Sequence, residues 1–159
     1  MDEMRRRLIQ SGGGMTLLGL LLAAGWIKPE EALAQVQTWN KAAFDTHSLT
    51  DTMKALGGGD PAQSKDIVFF QTPEIAENGA VVPIGVTSNI PKTESIAILI
   101  EKNPNLLAAV FDIPADTDPT ISTRVKMAQS SNVYALVKAD GKYYVAAKDI
   151  KVTLGGCGG

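Results

Sequence analysis

The sequence predicts an all-β fold, an immunoglobulin-like antiparallel β-sandwich with an N-terminal helical segment and a flexible glycine-rich C-terminal arm. From Asp66 onward the chain consists of short runs rich in Val, Ile, Thr and Tyr, and turn residues separate the runs. Several runs alternate between apolar and polar residues, as half-buried strands do. Evenly spaced short strands joined by turns are typical of a sandwich. An open barrel is the structural alternative, because the number of strands does not distinguish the two folds.

Residues 1–34 have the organisation of an export signal. Arg5-Arg6-Arg7-Leu8-Ile9 precedes a polar stretch and the apolar run Met15 to Ala24, and consecutive arginines before apolar residues indicate the twin-arginine route. The apolar run is shorter than the ~20 residues that a membrane-spanning helix needs. We expect cleavage after Ala32-Leu33-Ala34, with Ala23-Ala24-Gly25 as the alternative site, and a periplasmic protein.

Residues 35–61 are predicted to be helical and to end in a glycine loop. Ser48-Leu49-Thr50-Asp51 resembles a capping box, in which side chains satisfy free N–H groups at a helix start. Gly57 is expected to end this helix, because glycine tolerates the left-handed conformation that follows many helices. The loop Gly57 to Pro61 lacks the pattern of a phosphate-binding loop. The predicted apolar helix positions are Trp39, Ala42, Ala43, Phe44, Leu49, Met53 and Leu56.

Residues 62–154 are predicted to form the sandwich. Asp140-Gly141 between two apolar runs is a strong hairpin signal, because both central turn residues take positive φ. Pro83 lies inside a predicted strand, so we expect that strand at a sheet edge or with a bulge. The seven predicted strands are Ile67 to Gln71, Val81 to Ser88, Ser95 to Glu101, Leu106 to Phe111, Thr120 to Ala128, Val133 to Ala139 and Lys142 to Leu154.

The composition argues against nucleic-acid binding and against a self-sufficient enzyme. The net charge is −2, and no basic cluster follows the signal to bind a phosphate backbone. His47 is the only histidine, and we interpret it as an exposed or cap-supporting residue. One histidine and one cysteine do not make a zinc site or a haem attachment motif. The acidic pairs Asp116/Asp118 and Glu74/Glu77 flank prolines in turns, where solvated charges are usual, so we predict no catalytic, metal or cofactor site.

The C-terminal tail Gly155-Gly156-Cys157-Gly158-Gly159 contains the only cysteine. A disulfide within the chain is therefore excluded, and four glycines leave the thiol on a backbone without side-chain bulk. Five residues extend by roughly 17 Å at ~3.3–3.6 Å each. Residues 155–159 are predicted to be an arm that presents Cys157 to another protein, whose active site activates the thiol, since the tail supplies no cation.

An intermolecular disulfide is the main alternative use of Cys157. Prenylation requires a cysteine fourth from the end, and bacterial lipoproteins carry theirs at the signal cleavage site. A static disulfide does not explain glycine pairs on both sides of the thiol, which suit passage through a narrow opening.

The glycine-bracketed terminal cysteine, the twin-arginine-like signal and the strand-rich body together resemble SoxY, the sulfur carrier family of the periplasmic sulfur-oxidising (Sox) system. The segment Pro73 to Pro83 and the stretch from Ile96 through Pro104 extend the resemblance into the body. It covers essentially all of residues 35–159. The C-terminal motif is its most specific part.

The resemblance implies a covalent carrier and not a catalyst. Cys157 would be the substrate attachment site, and Gly155, Gly156, Gly158 and Gly159 would form the carrier arm. The implied partners are a SoxZ-like subunit in a heterodimer and three enzymes. The haem cytochrome SoxAX joins thiosulfate oxidatively to the cysteine, the manganese thiosulfohydrolase SoxB releases sulfate, and a SoxCD-like sulfur dehydrogenase belongs to the same system. No cofactor is implied for this chain.

Two other classes of protein fit parts of the pattern. Ubiquitin-like sulfur carriers also end in Gly-Gly but load sulfur on the terminal carboxylate, which needs cytoplasmic adenylation, and the export signal argues against that. An exported immunoglobulin-like interaction module that dimerises through Cys157 is the second alternative. Adducts on Cys157, a terminal thiocarboxylate or disulfide dimers alone would distinguish the three.

Overall fold

Residues 40–154 are described in the computed structural model. Residues 1–39, with the predicted export signal and Trp39, and residues 155–159 lie outside them. The elements are α1 Lys41–Phe44, α2 Leu49–Ala55, β1 Ala62–Gln63, β2 Ile67–Phe70, β3 Ile75–Ala76, β4 Val82–Ser88, β5 Thr93–Ile100, β6 Leu107–Asp112, β7 Thr120–Val125, β8 Ser131–Ala139 and β9 Lys142–Val152.

The strands form two sheets, which confirms the predicted all-β sandwich and all seven predicted strands. The larger sheet has the order β1-β9-β8-β5-β6, with β3 also paired to β9, and the smaller sheet has the order β2-β4-β7. The seven predicted strands pair antiparallel. β1 and β3 were not predicted; each has two residues and pairs parallel to β9. Two residues are too few to show an alternating pattern.

A first hydrophobic core lies between the two sheets. Alternate residues of β4, β5 and β8 point into it, and each of these side chains is fully buried or nearly so. Burying one such aliphatic side chain contributes about 1.5–3 kcal/mol relative to leaving it in water. The inward residues of these strands are Val82, Ile84, Val86, Ile96, Ile98, Ile100, Val133, Ala135, Val137 and Ala139.

A second core covers the opposite face of the larger sheet. Ala43 of α1 and Met53 of α2 pack there against Ala97 and Leu99 of β5 and Leu136 of β8. Strand β5 is therefore buried on both faces, which explains why its residues 96–100 are all apolar and do not alternate. The helices thus act as a cover for the sheet.

The predicted boundaries of α2 are confirmed by its caps. Ser48 Oγ accepts a hydrogen bond from the N–H of Asp51 (3.1 Å), and Gly57 follows the helix with φ of +80°. The N–H of Gly58 donates to Met53 O (2.8 Å) and that of Gly57 to Lys54 O (3.0 Å), the paired bonds of a Schellman motif. The glycines thus stop the helix and turn the chain toward β1.

The prediction that Pro83 marks an edge strand or a bulge is wrong. β4 lies between β2 and β7 and is the central strand of the smaller sheet. β2 pairs only with Gly85 to Ser88, so Pro83 has a strand neighbour on the β7 side alone. The N–H of Gly85 points away from β7 and donates to Thr72 Oγ1 (3.0 Å), and alternation places the nitrogen of Pro83 on the same side. The proline is tolerated because β2 has already ended.

The predicted hairpin at Asp140-Gly141 is confirmed, with φ of 48° and 71° at the two residues. Glu94 of β5 accepts a hydrogen bond from the N–H of Gly141 (2.9 Å) and pairs with Lys138 Nζ (2.7 Å). Its hydrogen bond from Lys138, followed by that from Gly141, lowers the pKa of the Glu94 carboxyl. One side chain thus connects β5 to the turn between β8 and β9.

Substitution of Gly85 by alanine is expected to destabilise the sandwich. A Cβ at this position would lie 2.5 Å from Phe70 O and 2.8 Å from the Phe70 ring, so strand β2 must shift. Urea unfolding should show a loss of about 1–3 kcal/mol in the free energy of unfolding. Gly59→Ala is the matched control, because nothing lies within 4 Å of its added Cβ. Equal stabilities of the two variants would contradict the close packing of β2 on β4.

Glu94→Gln is expected to change how stability depends on pH. Because the folded-state pKa of Glu94 is lower than its ordinary value of 4.5, the carboxylate stabilises the fold above that pH, and this contribution is lost as pH falls through the folded-state value. The melting temperatures of wild type and Glu94→Gln should differ at pH 7 and converge as the pH falls below 4.5 through the folded-state pKa of Glu94. The effect is small because the pair is solvated. A difference that grows on acidification would show that the sign is wrong.

Candidate functional site

The predicted arm begins where β9 ends, and the structure describes that end. β9 ends at Val152 and the described chain continues to Leu154. The residues predicted to carry the function follow Leu154 directly in the sequence. These predicted site residues, which lie outside the described residues, are Cys157, Gly155, Gly156, Gly158 and Gly159.

Residues 151–154 are held by two other parts of the chain, the segment 74–79 and Ser130. We call these three parts together the arm base. The segment 74–79 contains β3, which runs parallel to β9 with Ile75 beside Lys151. The arm base therefore extends the larger sheet beyond Ser131, the first residue of β8.

Backbone hydrogen bonds join the segment 74–79 to the last residues before the arm. The N–H of Lys151 donates to Glu74 O (2.9 Å), and the N–H of Thr153 donates to Ala76 O (3.0 Å). Ala76 is buried in the first core, so this contact ties the arm base to the interior of the sandwich. The path of the chain is thus defined past the last residue of β9.

Two further bonds hold the final described residues. Thr153 Oγ1 donates to Glu77 O (3.0 Å), and the N–H of Gly79 donates to Leu154 O (2.7 Å). The carbonyl of Leu154 immediately precedes Gly155. The described hydrogen bonding therefore reaches the last peptide group before the arm.

Ser130 holds β9 from the other side. Its Oγ accepts from the N–H of Val152 (2.8 Å) and also donates to Val152 O (3.3 Å). One hydroxyl thereby satisfies both backbone polar groups of Val152, where β8 no longer provides a partner. The sequence pattern around Ser130 does not indicate this role.

The segment 74–79 is itself anchored to the sandwich. Gly79 is buried and its carbonyl accepts from the N–H of Met127 (2.7 Å). Asn78 Oδ1 accepts from the N–H of Ala80 (2.8 Å) and fixes the turn that leads into β4. Asn103 binds the backbone on both sides of Met127, at Lys126 O and Ala128 N. Hydrogen bonds therefore connect the arm base to the buried residue Met127 and the backbone around it.

The surface around the arm base exposes large apolar side chains. Ile75 is 60% exposed, Leu154 66% and Val81 55%. Charged residues border them, since Lys151 and Glu74 are also exposed. Apolar groups next to the predicted attachment point provide contact area for a partner protein.

His47 is exposed, as expected, and its ring bonds to the backbone of a distant turn. Its Nδ1–H donates to Pro104 O (2.6 Å), which joins the start of α2 to the turn before β6. The tautomer follows from the acceptor, since a carbonyl only accepts. His47 is a structural residue at this position.

The acidic pairs of the sequence lie apart from each other. Glu74 and Glu77 are exposed in the arm base, and Asp116 and Asp118 are exposed in the loop between β6 and β7. Asp118 accepts from Thr120 Oγ1 (3.1 Å). Asp116 lines a cleft of about 680 Å³ together with residues 88–94, at the end of the sandwich opposite to Leu154. The structure therefore does not bring the two pairs together.

Tyr134 and Tyr143 pack against the second core, and Tyr144 packs against the first. Tyr134 and Tyr143 are half-buried, and burial raises the pKa of both phenols. The hydroxyl of Tyr143 donates to Leu56 O (2.7 Å) and links β9 to the end of α2. Their arrangement is explained by packing.

Within residues 40–154, no group of three or more His, Cys, Asp or Glu side chains is arranged to hold a metal ion. In the same part of the chain, none of the helices has the length and apolar character needed to cross a membrane.

Among solved structures, the fold is similar to that of a sulfur carrier protein. The sulfur carrier protein SoxY from Chlorobium limicola f thiosulfatophilum is 37% identical, with a TM-score of 0.57 over 65% of this chain and 96% of that one. A superoxide reductase (neelaredoxin) from Ignicoccus hospitalis matches at 18% identity and a TM-score of 0.47, over 54% of this chain and 78% of that one.

The family comparison covers the arm base and the predicted attachment residue together. No curated protein matched significantly. The family model for the sulfur oxidation protein SoxY matches residues 52–157. This match begins within α2 and includes the whole sandwich and the chain as far as Cys157. On this match and the 37% identity to a solved SoxY, the chain belongs to the SoxY family of sulfur oxidation proteins.

Proposed function

We propose that this protein is a sulfur carrier that holds thiosulfate-derived intermediates covalently on Cys157 and presents them to partner enzymes. The observation that carries the proposal is the continuity of the family match from the sandwich to residue 157. The hydrogen-bonded arm base supports it, because the only cysteine of the chain follows an anchored residue by three positions. A carrier needs a fixed body and a movable attachment point. The hydrogen-bonded sandwich supplies the body, and the glycine-rich sequence of residues 155–159 predicts the attachment point.

The loading step joins two sulfur atoms. The Cys157 thiolate and the outer sulfur of thiosulfate form an S–S bond, giving a cysteine S-thiosulfonate. The thiol loses one proton, and two electrons pass to an oxidant, for which we propose the SoxAX haem cytochrome. The chain's contribution is the nucleophilic sulfur and its position.

The second step is a hydrolysis. Water attacks the terminal sulfonate sulfur, and the bond between this sulfur and the sulfane sulfur breaks. Sulfate leaves, one water proton goes to the persulfide that remains on Cys157, the other is released, and no electrons are transferred. We assign this step to a partner, the manganese thiosulfohydrolase SoxB, because the glycines of the tail carry no acidic or basic side chain. A SoxCD-like dehydrogenase is the proposed oxidant of the remaining sulfane sulfur.

The domain organisation proposed from the sequence follows this function. Residues 1–34 act as a twin-arginine export signal, residues 35–61 and 62–154 form the helical cover and the sandwich, and residues 155–159 form the arm. A SoxZ-like subunit joins the chain in a heterodimer and is exported with it, since the twin-arginine route carries folded cargo. The proposed site of action is the periplasm.

Cys157→Ser is expected to abolish sulfur loading without changing the fold. A hydroxyl oxygen does not form the S–S bond, and the substitution is made in the predicted arm, beyond the residues that form the two cores. Intact mass spectrometry after incubation with thiosulfate and the cytochrome should show an adduct on the wild type and none on the variant. The melting temperature should be unchanged.

Two results would contradict the carrier assignment. Adducts that persist in Cys157→Ser would place the sulfur on another group, such as the terminal carboxylate. A wild type that forms only disulfide dimers and no adduct would favour the interaction module instead.

Gly158→Val is expected to slow processing of the loaded arm by roughly tenfold or more in kcat/KM, which corresponds to about 1.4 kcal/mol of transition-state stabilisation. The β-branched side chain adds bulk directly after the attachment point and obstructs a narrow active-site channel. Stopped-flow measurement of sulfate release gives the rate. Gly59→Val is the control, because the space around Gly59 is open within 4 Å. Normal turnover of Gly158→Val would contradict the narrow-channel argument.

A further inference from the structure

The position at which the arm begins determines how far Cys157 reaches. With the arm base intact, the last bonded group among the described residues is the carbonyl of Leu154, and Cys157 lies three positions after Leu154. Three extended residues span about 10–11 Å at ~3.3–3.6 Å each. If residues 151–154 were released, seven residues would follow Ile150 and would span about 23–25 Å. The arm base therefore more than halves the reach of the thiol.

From this geometry we infer that Ser130 and Thr153 are positioning residues that fix the pivot of the carrier arm at Leu154. The inference rests on the proposed function of Cys157. Of the bonds that hold residues 152–154, these two side chains supply three, to Val152 N, Val152 O and Glu77 O. The remaining bonds run between backbone groups and are independent of residue type.

Ser130 makes two of these three side-chain hydrogen bonds, and Thr153 makes one. The Ser130 hydroxyl binds both polar groups of Val152, and removal of the hydroxyl leaves a partly buried N–H without its acceptor. Thr153 acts one residue later and on the opposite side of the strand, where its hydroxyl donates a hydrogen bond to the backbone carbonyl of Glu77. Because the two hydroxyls hold consecutive residues from two sides, loss of both releases the arm base further than loss of either alone.

A released arm base lowers the frequency with which the thiol meets a partner's reacting centre. The effective concentration of a tethered group falls roughly as the −3/2 power of tether length. Lengthening the tether from three residues to seven corresponds to a decrease of roughly three- to fourfold. The chemical reactivity of the thiol itself is not changed, since neither hydroxyl belongs to the arm.

The experiment compares Ser130→Ala, Thr153→Val and the double variant with wild type in two independent measurements. Amide hydrogen exchange by NMR reports whether the arm base is held, through the N–H groups of Val152 and Gly79. The rate of loading of Cys157 by thiosulfate and the cytochrome reports whether holding it matters. The reaction of Cys157 with a small aromatic disulfide reports the intrinsic reactivity of the thiol.

Thr120→Val is the matched control. Thr120 is also an exposed strand-end threonine whose hydroxyl forms hydrogen bonds, to Thr87 and Asp118 (both 3.1 Å). It pairs with the C-terminal end of β4, whereas the arm base adjoins the N-terminal end. The same chemical change is therefore made at the opposite end of the sandwich.

We expect exchange at Val152 and Gly79 to be at least tenfold faster in the double variant than in wild type, with exchange at Val137 unchanged. Loading should fall roughly three- to fourfold in kcat/KM, while reaction with the small disulfide stays within about twofold and Thr120→Val behaves as wild type.

Two outcomes would overturn the inference. In one, Val152 and Gly79 of the wild type exchange as fast as an unstructured peptide. In the other, loading by the double variant is normal although its exchange is faster. If wild-type protein is never loaded but its arm base exchanges slowly, the proposed function fails while the fixed pivot is supported.

Discussion

The pairing of β9 with β8 is the interaction on which the rest of the structure depends. The two strands pair continuously from Ser131 beside Ile150 to Ala139 beside Lys142. Side chains of β9 contribute to both cores, with Ile150 in the first and Val145 in the second. A slip of one residue would exchange the two faces along the whole strand. Such a slip would also displace the point at which the arm leaves the body, so register and function are coupled.

The described body of the protein is firmly packed, and the predicted attachment point follows it in the chain. Burial of β5 on both faces requires the helical cover on one of them. The described hydrogen bonding reaches Leu154, and large apolar side chains are exposed around this point. In the proposed function, this surface contacts the partners and Cys157 supplies the chemistry.

The strands were predictable because their signal is local. Alternation in β7 and β8 and the turn at Asp140-Gly141 follow from side-chain period and backbone φ, and both are readable from neighbouring residues. The prediction from Pro83 was wrong because a proline fits in β4 only where β2 has ended, and the end of β2 is a property of the neighbouring strand. The two-residue strands β1 and β3 carry no period, and they form because β9 offers a free edge.

The sequence by itself determined the sandwich class, the caps of α2 and the unusual chemistry of the tail, in which glycines surround a single cysteine. These depend on residue type and short spacing. Only the tertiary structure decided that the helices cover β5, and that Ser130 and the segment 74–79 hold β9 up to Leu154. The physical reason is that these contacts join residues distant in the chain, and many of them use backbone groups that every residue carries.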